Sequence, residues 1–468
     1  MQWRIGWRAG LALALALTLS ACGGAAVRKA PSSPQAKAPS SAQRDSVPRL
    51  SGPMRVAVLV PLTGEFASIG QQFVNAATIA VFEDQQEPFE LIPFDTKGTP
   101  DGARDAAAAA LREQVDMVIG PLFGRHVPVV RQILQARNIA ILTLTNDTDQ
   151  AGGNVFVMGV SISDQIERLA QALARDNRGR LLIFGPDTPY TQLAISTVQA
   201  MSDRGQIQLV RAATFSSGTD FNQISEQVKA LTEYDRRRGE WRAYEARLVP
   251  QVRQASDPAG FLAGQAAQFP EGSVRNRMLR GMASVYNQHR SRGRNAALSE
   301  VISRIEGVDA SPADDFDAVL LPFADDNLIA VGSMLDLYNA GYPFARLVGT
   351  NFWAQQDLAK EPSFHHGWFS SLDQAAIEPF ILSYTTTYQS DPDSIAVLGY
   401  YGGRVGILAA KQNIRPVTPA FVRRPEGFGG QAGNVRFGPD NVMRHPLKVY
   451  QVTPDGPREL DAETGPTS

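Results

Sequence analysis

The chain has one cysteine, Cys22, in 468 residues. A lone thiol forms no internal disulfide, so packing must hold the core. Histidine is scarce too: His126, His289, His365, His366 and His445 are the five. None falls in an HExxH pattern, and the adjacent pair His365-His366 does not present both rings on one helix face. There is no Walker A loop and no GxSxG elbow, which removes the usual phosphate-loop and hydrolase readings. Gly430 and Gly433 precede a strand rather than a helix, the wrong context for a dinucleotide loop. A net charge of −2 and a pI near 6.3 give no excess of either sign to draw nucleic acid. The longest apolar run, LALALALTL near the start, is too short for a comfortable membrane span. No metal, no cofactor and no catalytic residue is expected from these patterns.

That short run has a role of its own. Arg4 and Arg8 precede it, and Leu19-Ser20-Ala21-Cys22 follows. Residues 1–22 therefore read as a secretory signal. Their end resembles the bacterial lipobox, which implies lipidation at Cys22; an ordinary signal with an incidental cysteine is the alternative. Neither residue after Cys22 is Asp, so the resemblance implies the outer membrane, with the lipid anchor as the one membrane contact. Residues 23–52 are rich in Ala, Pro and Ser, carry a net +4 and lack apolar periodicity, as a flexible tether does.

The body opens with MRVAVLV, residues 54–60, which is apolar enough for a strand buried on both faces. Pro61 and Gly64 break it, and Phe73, Ala76, Ala77, Ala80 and Val81 then recur at helical spacing. Strand and helix patterns alternate onward: PFELIPFDT, with Pro93 marking an edge, then VDMVIGPL and IAILTLT. A second unit of similar build follows, with RLLIFGPD, IQLVRAATF, FDAVLLPF and ARLVGTNFW as strands. Residues 368–412 read as helical, and NVRFG and PLKVYQV as a terminal strand pair. The fold class is α/β, with two doubly wound, Rossmann-like lobes. VAVLVPLTG and the spacing Phe428-x-Gly430-x-x-Gly433-x-Val435-x-Phe437 resemble the type I periplasmic binding protein fold of the Leu/Ile/Val-binding family. That resemblance implies three crossings between lobes. Residues 53–158 and 366–428 would form lobe 1, residues 159–365 and 429–454 lobe 2, and residues 455–468 a tail.

Residues 232–306 interrupt the second lobe without a strand signal. They hold 13 Arg, no Lys and eight acids, a net +5, and suggest helices at 240–254 and 274–289. Without the signal, tether and insertion, the remainder carries −13. The insertion is either a solvated helical excursion or a docking surface for an acidic partner, a role that suits the planar fork of arginine.

Loops after strands face the crevice of a doubly wound sheet. The candidate ligand residues are therefore Ser68, Gly70, Gly124, Thr145, Asn146, Asp147, Tyr190, Phe323, Asn351 and Trp353, any of which could instead serve lobe packing. Amino-acid binders of this fold place a Ser near position 124 and a Ser-Pro-x-Ala-Thr-like loop after the fourth strand. Here Gly124 and the run 143–147, TLTND, stand there, and an ionised Asp147 would repel a ligand carboxylate by about 2–4 kcal/mol. Paired carboxylates at Asp314-Asp315 and Asp325-Asp326 read as helix caps or, less simply, as glycosidase groups.

The same stretch, LTLTNDTDQAGGNVFVMGVSISDQIERLAQAL, is similar to penicillin-binding protein activators of the LpoA type, as are FDAVLLP, LVGTNFW and GWF. Enterobacterial members carry a large N-terminal helical domain, for which residues 23–52 leave no room. The resemblance implies a non-catalytic outer-membrane lipoprotein that regulates a peptidoglycan synthase. The alternatives are a solute-binding lipoprotein serving an ABC permease, with a small molecule such as an amino acid as ligand, and an enzyme of cell-wall turnover.

Overall fold

The alternation of β1 (Met54–Val60) explains its uniformly apolar sequence. Val56, Val58 and Val60 enter one hydrophobic layer, whereas Ala57 and Leu59 enter the other. A computed structural model describes residues 52–84, 88–313 and 315–460. Cys22, the signal, the tether up to residue 51 and Asp314 lie outside the described residues. The described residues belong to one compact unit.

In lobe 1, β1 leads to α1 (Ala67–Phe82), β2 (Phe89–Asp95), α2 (Pro100–Arg112), β3 (Met117–Ile119), α3 (Val127–Leu134), β4 (Ile141–Thr143) and β5 (Val155–Val157). All pairings are parallel, in the order β2-β1-β3-β4-β5. Pro93 sits on the edge strand β2, where its missing N–H costs no ladder bond.

Lobe 2 follows with α4 (Ile162–Arg175), β6 (Arg180–Pro186), α5 (Pro189–Asp203), β7 (Gln208–Phe215) and α6 (Phe221–Leu231). The insertion then contributes α7 (Tyr234–Gln254), α8 (Pro258–Ala266), α9 (Val274–His289) and α10 (Arg294–Glu306). After it come β8 (Ala318–Leu321), α11 (Asn327–Leu337), β9 (Arg346–Gly349) and β10 (Trp368–Leu372). The parallel run β7-β6-β8-β9-β10 repeats the order of lobe 1. In both sheets the winding reverses beside the first strand, which opens a crevice at the strands' carboxyl ends.

The insertion builds a core of its own from Trp241, Leu248, Leu262, Leu279, Tyr286 and Val301. Part of its charge is paired internally. Arg236 pairs with Glu233 and Glu240, Arg275 with Glu240, and Arg304 with Glu300; Arg238 reaches Asp309, just past the last helix. Arg237 is buried and donates to the carbonyls of Thr232, Ser311, Asn339 and Tyr338.

The C-terminal third departs from expectation in three ways. The stretch expected to be helical from 368 begins with β10, fully buried between β9 and β14 (Leu447–Thr453). The crossing into lobe 1 therefore comes at residues 372–374, not 366. There α12 (Gln374–Tyr388) and α13 (Val397–Lys411) cover β1, followed by the short α14 (Pro419–Val422). Next, β11 (Phe428–Gly430), β12 (Gly433–Phe437) and β13 (Met443–Arg444) pack Phe428, Val435, Phe437 and Met443 into the lobe 1 core. Residues 429–444 thus belong to lobe 1, and NVRFG does not pair with PLKVYQV. Finally, β15 (Gly456–Glu459) pairs with β14 as an edge strand, so the expected tail is ordered at its start.

The three crossings lie side by side. The N–H of Val157 donates to the Asn441 carbonyl at 2.9 Å, and that of Asp373 to the Pro446 carbonyl at 3.0 Å. His445 Nε2 lies 2.7 Å from the Met158 carbonyl. Two crossings end on helix caps: Ser161 accepts the N–H of Asp164, and Asp373 that of Ala376.

Candidate functional site

A cleft of about 690 Å³ lies between the lobes at the strands' carboxyl ends. Lobe 1 supplies the loops after β1, β3, β4 and β5, together with Leu398 of α13; lobe 2 supplies Pro189, Asn351 and Phe352. The volume is in the range of small-molecule sites.

Each loop is braced from below. Asp95, at the end of β2, accepts the N–H groups of Leu62 and Lys97 and the Thr63 hydroxyl at 2.6–2.8 Å. Burial alone would raise its pKa, but these hydrogen bonds outweigh it and hold the carboxyl below the ordinary value. After β3, Phe123 packs edge-on against Phe66 at 5.0 Å, and the Arg125 guanidinium lies 4.6 Å from its ring centroid. Beneath it, His126 is fully buried with neither ring nitrogen hydrogen-bonded; burial lowers its pKa, with the Arg125 charge adding. After β4, Thr145 Oγ1 accepts the N–H of Asp147 at 3.1 Å, and Asp147 Oδ2 accepts from Gln150 Nε2 at 2.9 Å.

Of the expected residues, Gly124, Thr145, Asn146, Asp147 and Asn351 line this cleft together. Gly124 and Asp147 form one feature. A Cβ at 124 would lie 2.8 Å from Asp147 Oδ2 and 3.1 Å from Thr145 Oγ1, so a serine there would require the Asp147 side chain to shift. Tyr190 stands at the lobe 2 edge, its ring 4.8 Å from Phe352. Burial pushes its hydroxyl up to about 12, against a hydrogen bond with Gln165.

The other candidates fall elsewhere. Ser68 is exposed on α1, while its neighbours Phe66 and Ile69 line the cleft. Gly70 is a packing residue, since a Cβ would sit 1.6 Å from the Pro61 carbonyl oxygen. Phe323 and Trp353 belong to the lobe 2 core, and Trp353 Nε1 donates to the Leu321 carbonyl at 3.2 Å. Asp325 accepts the N–H of Asn327 at 2.9 Å just ahead of α11, whose N-cap residue Asp326 makes no side-chain cap bond, and Asp315 pairs with Arg211 at 2.6 Å. Among the described residues no group of three His, Cys, Asp or Glu could hold a metal ion, and no helix is long and apolar enough to cross a membrane.

Gln165 lies outside the expected site residues and organises the lobe 2 wall. It is fully buried, accepts the N–H of Asn351 at 2.7 Å and donates toward the carbonyls of Val160 and Ser161 at 3.4 Å. It thus ties a crossing to the ligand loop. The available signal was a lone amide within the apolar stripe Ile162, Ile166 and Leu169.

Comparison with known proteins agrees with this geometry. A sequence model of the periplasmic binding protein family matches residues 53–232, ending where the helical insertion begins. The penicillin-binding protein activator LpoA of Vibrio cholerae is 26% identical over 149 residues, 31% of this chain and 24% of the relative. The match therefore spans about a quarter of the relative's length. Among solved structures, a branched-chain amino-acid ABC transporter ligand-binding protein from Burkholderia xenovorans superimposes with a TM-score of 0.59 at 11% identity, over 87% of this chain and 94% of its own. The leucine-binding protein LivK of Thermotoga maritima does so with 0.54 at 14%, over 87% and 97%. Two doubly wound lobes, three adjoining crossings and a cleft at the strand ends, together with these likenesses, establish that the chain has the type I periplasmic binding protein fold.

Proposed function

We propose that this protein is a non-catalytic, lipid-anchored envelope protein that binds a peptidoglycan synthase and regulates it. The anchor would be Cys22 in the outer membrane, with residues 23–52 giving reach across the periplasm. The observation that carries the proposal is the contact between Gly124 and Asp147. The loop that the resemblance expects to receive a ligand carboxylate carries Asp147 instead, and a side chain at 124 would press on that carboxylate. This argues against capture of ordinary α-amino acids, while the sequence match to penicillin-binding protein activators supplies the positive direction.

The cleft keeps a second reading open, that of a solute-binding protein for an ABC permease, because its volume and aromatic lining suit a small solute. One pair of measurements separates them. The purified full chain is tested for retention of a bifunctional penicillin-binding protein and stimulation of its glycan polymerisation. In parallel, its melting temperature is followed with leucine, isoleucine, valine and small amides. A solute ligand at 100 times its Kd would add about 2.7 kcal/mol of stability. The regulator reading expects retention and stimulation without that gain. A solute-dependent rise with no synthase retained overturns it in favour of the importer.

A further inference from the structure

A second cavity, of about 710 Å³, lies away from the cleft, where α9 and the end of α10 face the loop after α11. Its wall is largely apolar: Met278, Met282 and Val285 from the insertion, Tyr342 and Phe344 from lobe 2. Methionines give such a wall adaptable packing. The charged residues lining it are Arg178, Arg277 and Arg304, with no acid among them.

Arg277 is the exceptional member. Its Nη1 donates to the Gly272 carbonyl, but its Nη2 is buried with no hydrogen-bond partner among the described residues. Burial lowers its pKa, the Arg178 charge adds to this, and Asp317 and Asp176 offset it only in part. Those two acids are already engaged, Asp317 with Arg180 at 2.7 Å and Asp176 with Arg178 at 2.7 Å and Arg346 at 3.2 Å. A desolvated guanidinium without an acceptor is costly unless an anion completes it.

Gly281 makes an independent point. It lies inside α9, where glycine destabilises a helix relative to alanine. Close packing does not require it, because a Cβ there would meet no atom within 4 Å. It is exposed and lies at the cavity's rim, where a larger side chain would reach over the opening.

We propose that this cavity binds a small amphipathic carboxylate, with its anion at Arg277 and its apolar body over Met278, Met282 and Phe344. The site is independent of the interlobe cleft and of the synthase reading. The test is calorimetric titration of the full chain with 4-phenylbutyrate, using 4-phenylbutanol and 4-phenylbutylamine as neutral and cationic controls. Saturable binding of the carboxylate is expected, about tenfold or more tighter than either control. Arg277→Gln should weaken it by about the same factor. Gly281→Leu should abolish it by covering the opening, with the melting temperature unchanged or higher, so lost binding would not reflect lost fold. Phe352→Ala, in the cleft, should leave it intact. Absence of saturable binding, equal binding of all three compounds, or binding that survives both Arg277→Gln and Gly281→Leu overturns the proposal.

Discussion

At the scale of single residues, contacts decide what identity alone leaves open. Gly70 follows the first strand's loop and looked like part of a ligand loop, yet it is the point where α1 touches the Pro61 carbonyl. Gly70→Ala should therefore cost about 3 kcal/mol or more, read as a lower urea midpoint, because backbone must move to admit the methyl group. His445 bears on pH. Burial lowers its pKa from 6.5 to about 4, against the hydrogen bond to the Met158 carbonyl, which raises it. The folded state thus keeps this ring neutral while the unfolded chain takes up a proton. Its contribution to stability is complete above pH 6.5 and is lost as pH falls toward 4, by up to about 3 kcal/mol. Urea unfolding of wild type and His445→Gln should show their difference narrowing across that window. A constant difference would mean the ring is protonated in the folded protein.

At the scale of elements, the insertion is a small helical domain fastened to lobe 2. Arg237 is a principal fastener: it satisfies four carbonyls, from the first residue of the insertion, from the segment after it and from the two residues that follow α11. Burial brings its pKa down to about 10, still well above neutrality, so it remains charged. Arg237→Ala should destabilise lobe 2 by about 3–5 kcal/mol, since several buried carbonyls lose their donor together. Hydrogen exchange should show the loss concentrated at 232–240, 311 and 338–339 rather than in lobe 1. The Arg-rich composition announced a charged surface. Pairing within the insertion shows that part of that charge is structural, and α7 carries Arg242, Arg247 and Arg253 as exposed cations besides the paired Arg236.

At the scale of the whole molecule, the adjoining crossings connect two similar lobes, and the cleft depends on how those lobes meet. If α7 is the synthase-facing surface, reversing Arg242, Arg247 and Arg253 to Glu should weaken retention of the synthase by about tenfold or more and reduce its salt dependence. All three are exposed, so the melting temperature should hold within a few degrees. Unchanged retention would place the interface on the lobes.

The chain's own pattern determined the two-lobed α/β class, since a strand buried on both faces must be apolar throughout and its covering helices must repeat at helical spacing. It also marked the loops that bear Gly124, Asp147 and Asn351, because a parallel sheet leaves no other place for its strand ends. Tertiary structure alone decided that β10 is a strand, that the hairpin at 428–437 joins lobe 1, and that Trp353 and Phe323 serve the core. In each case a short apolar segment is equally suited to either partner, and long-range packing makes the choice. Gln165 and Arg237 were hidden for the same reason, since the groups they satisfy lie up to 186 residues away in sequence and come together only in the folded protein.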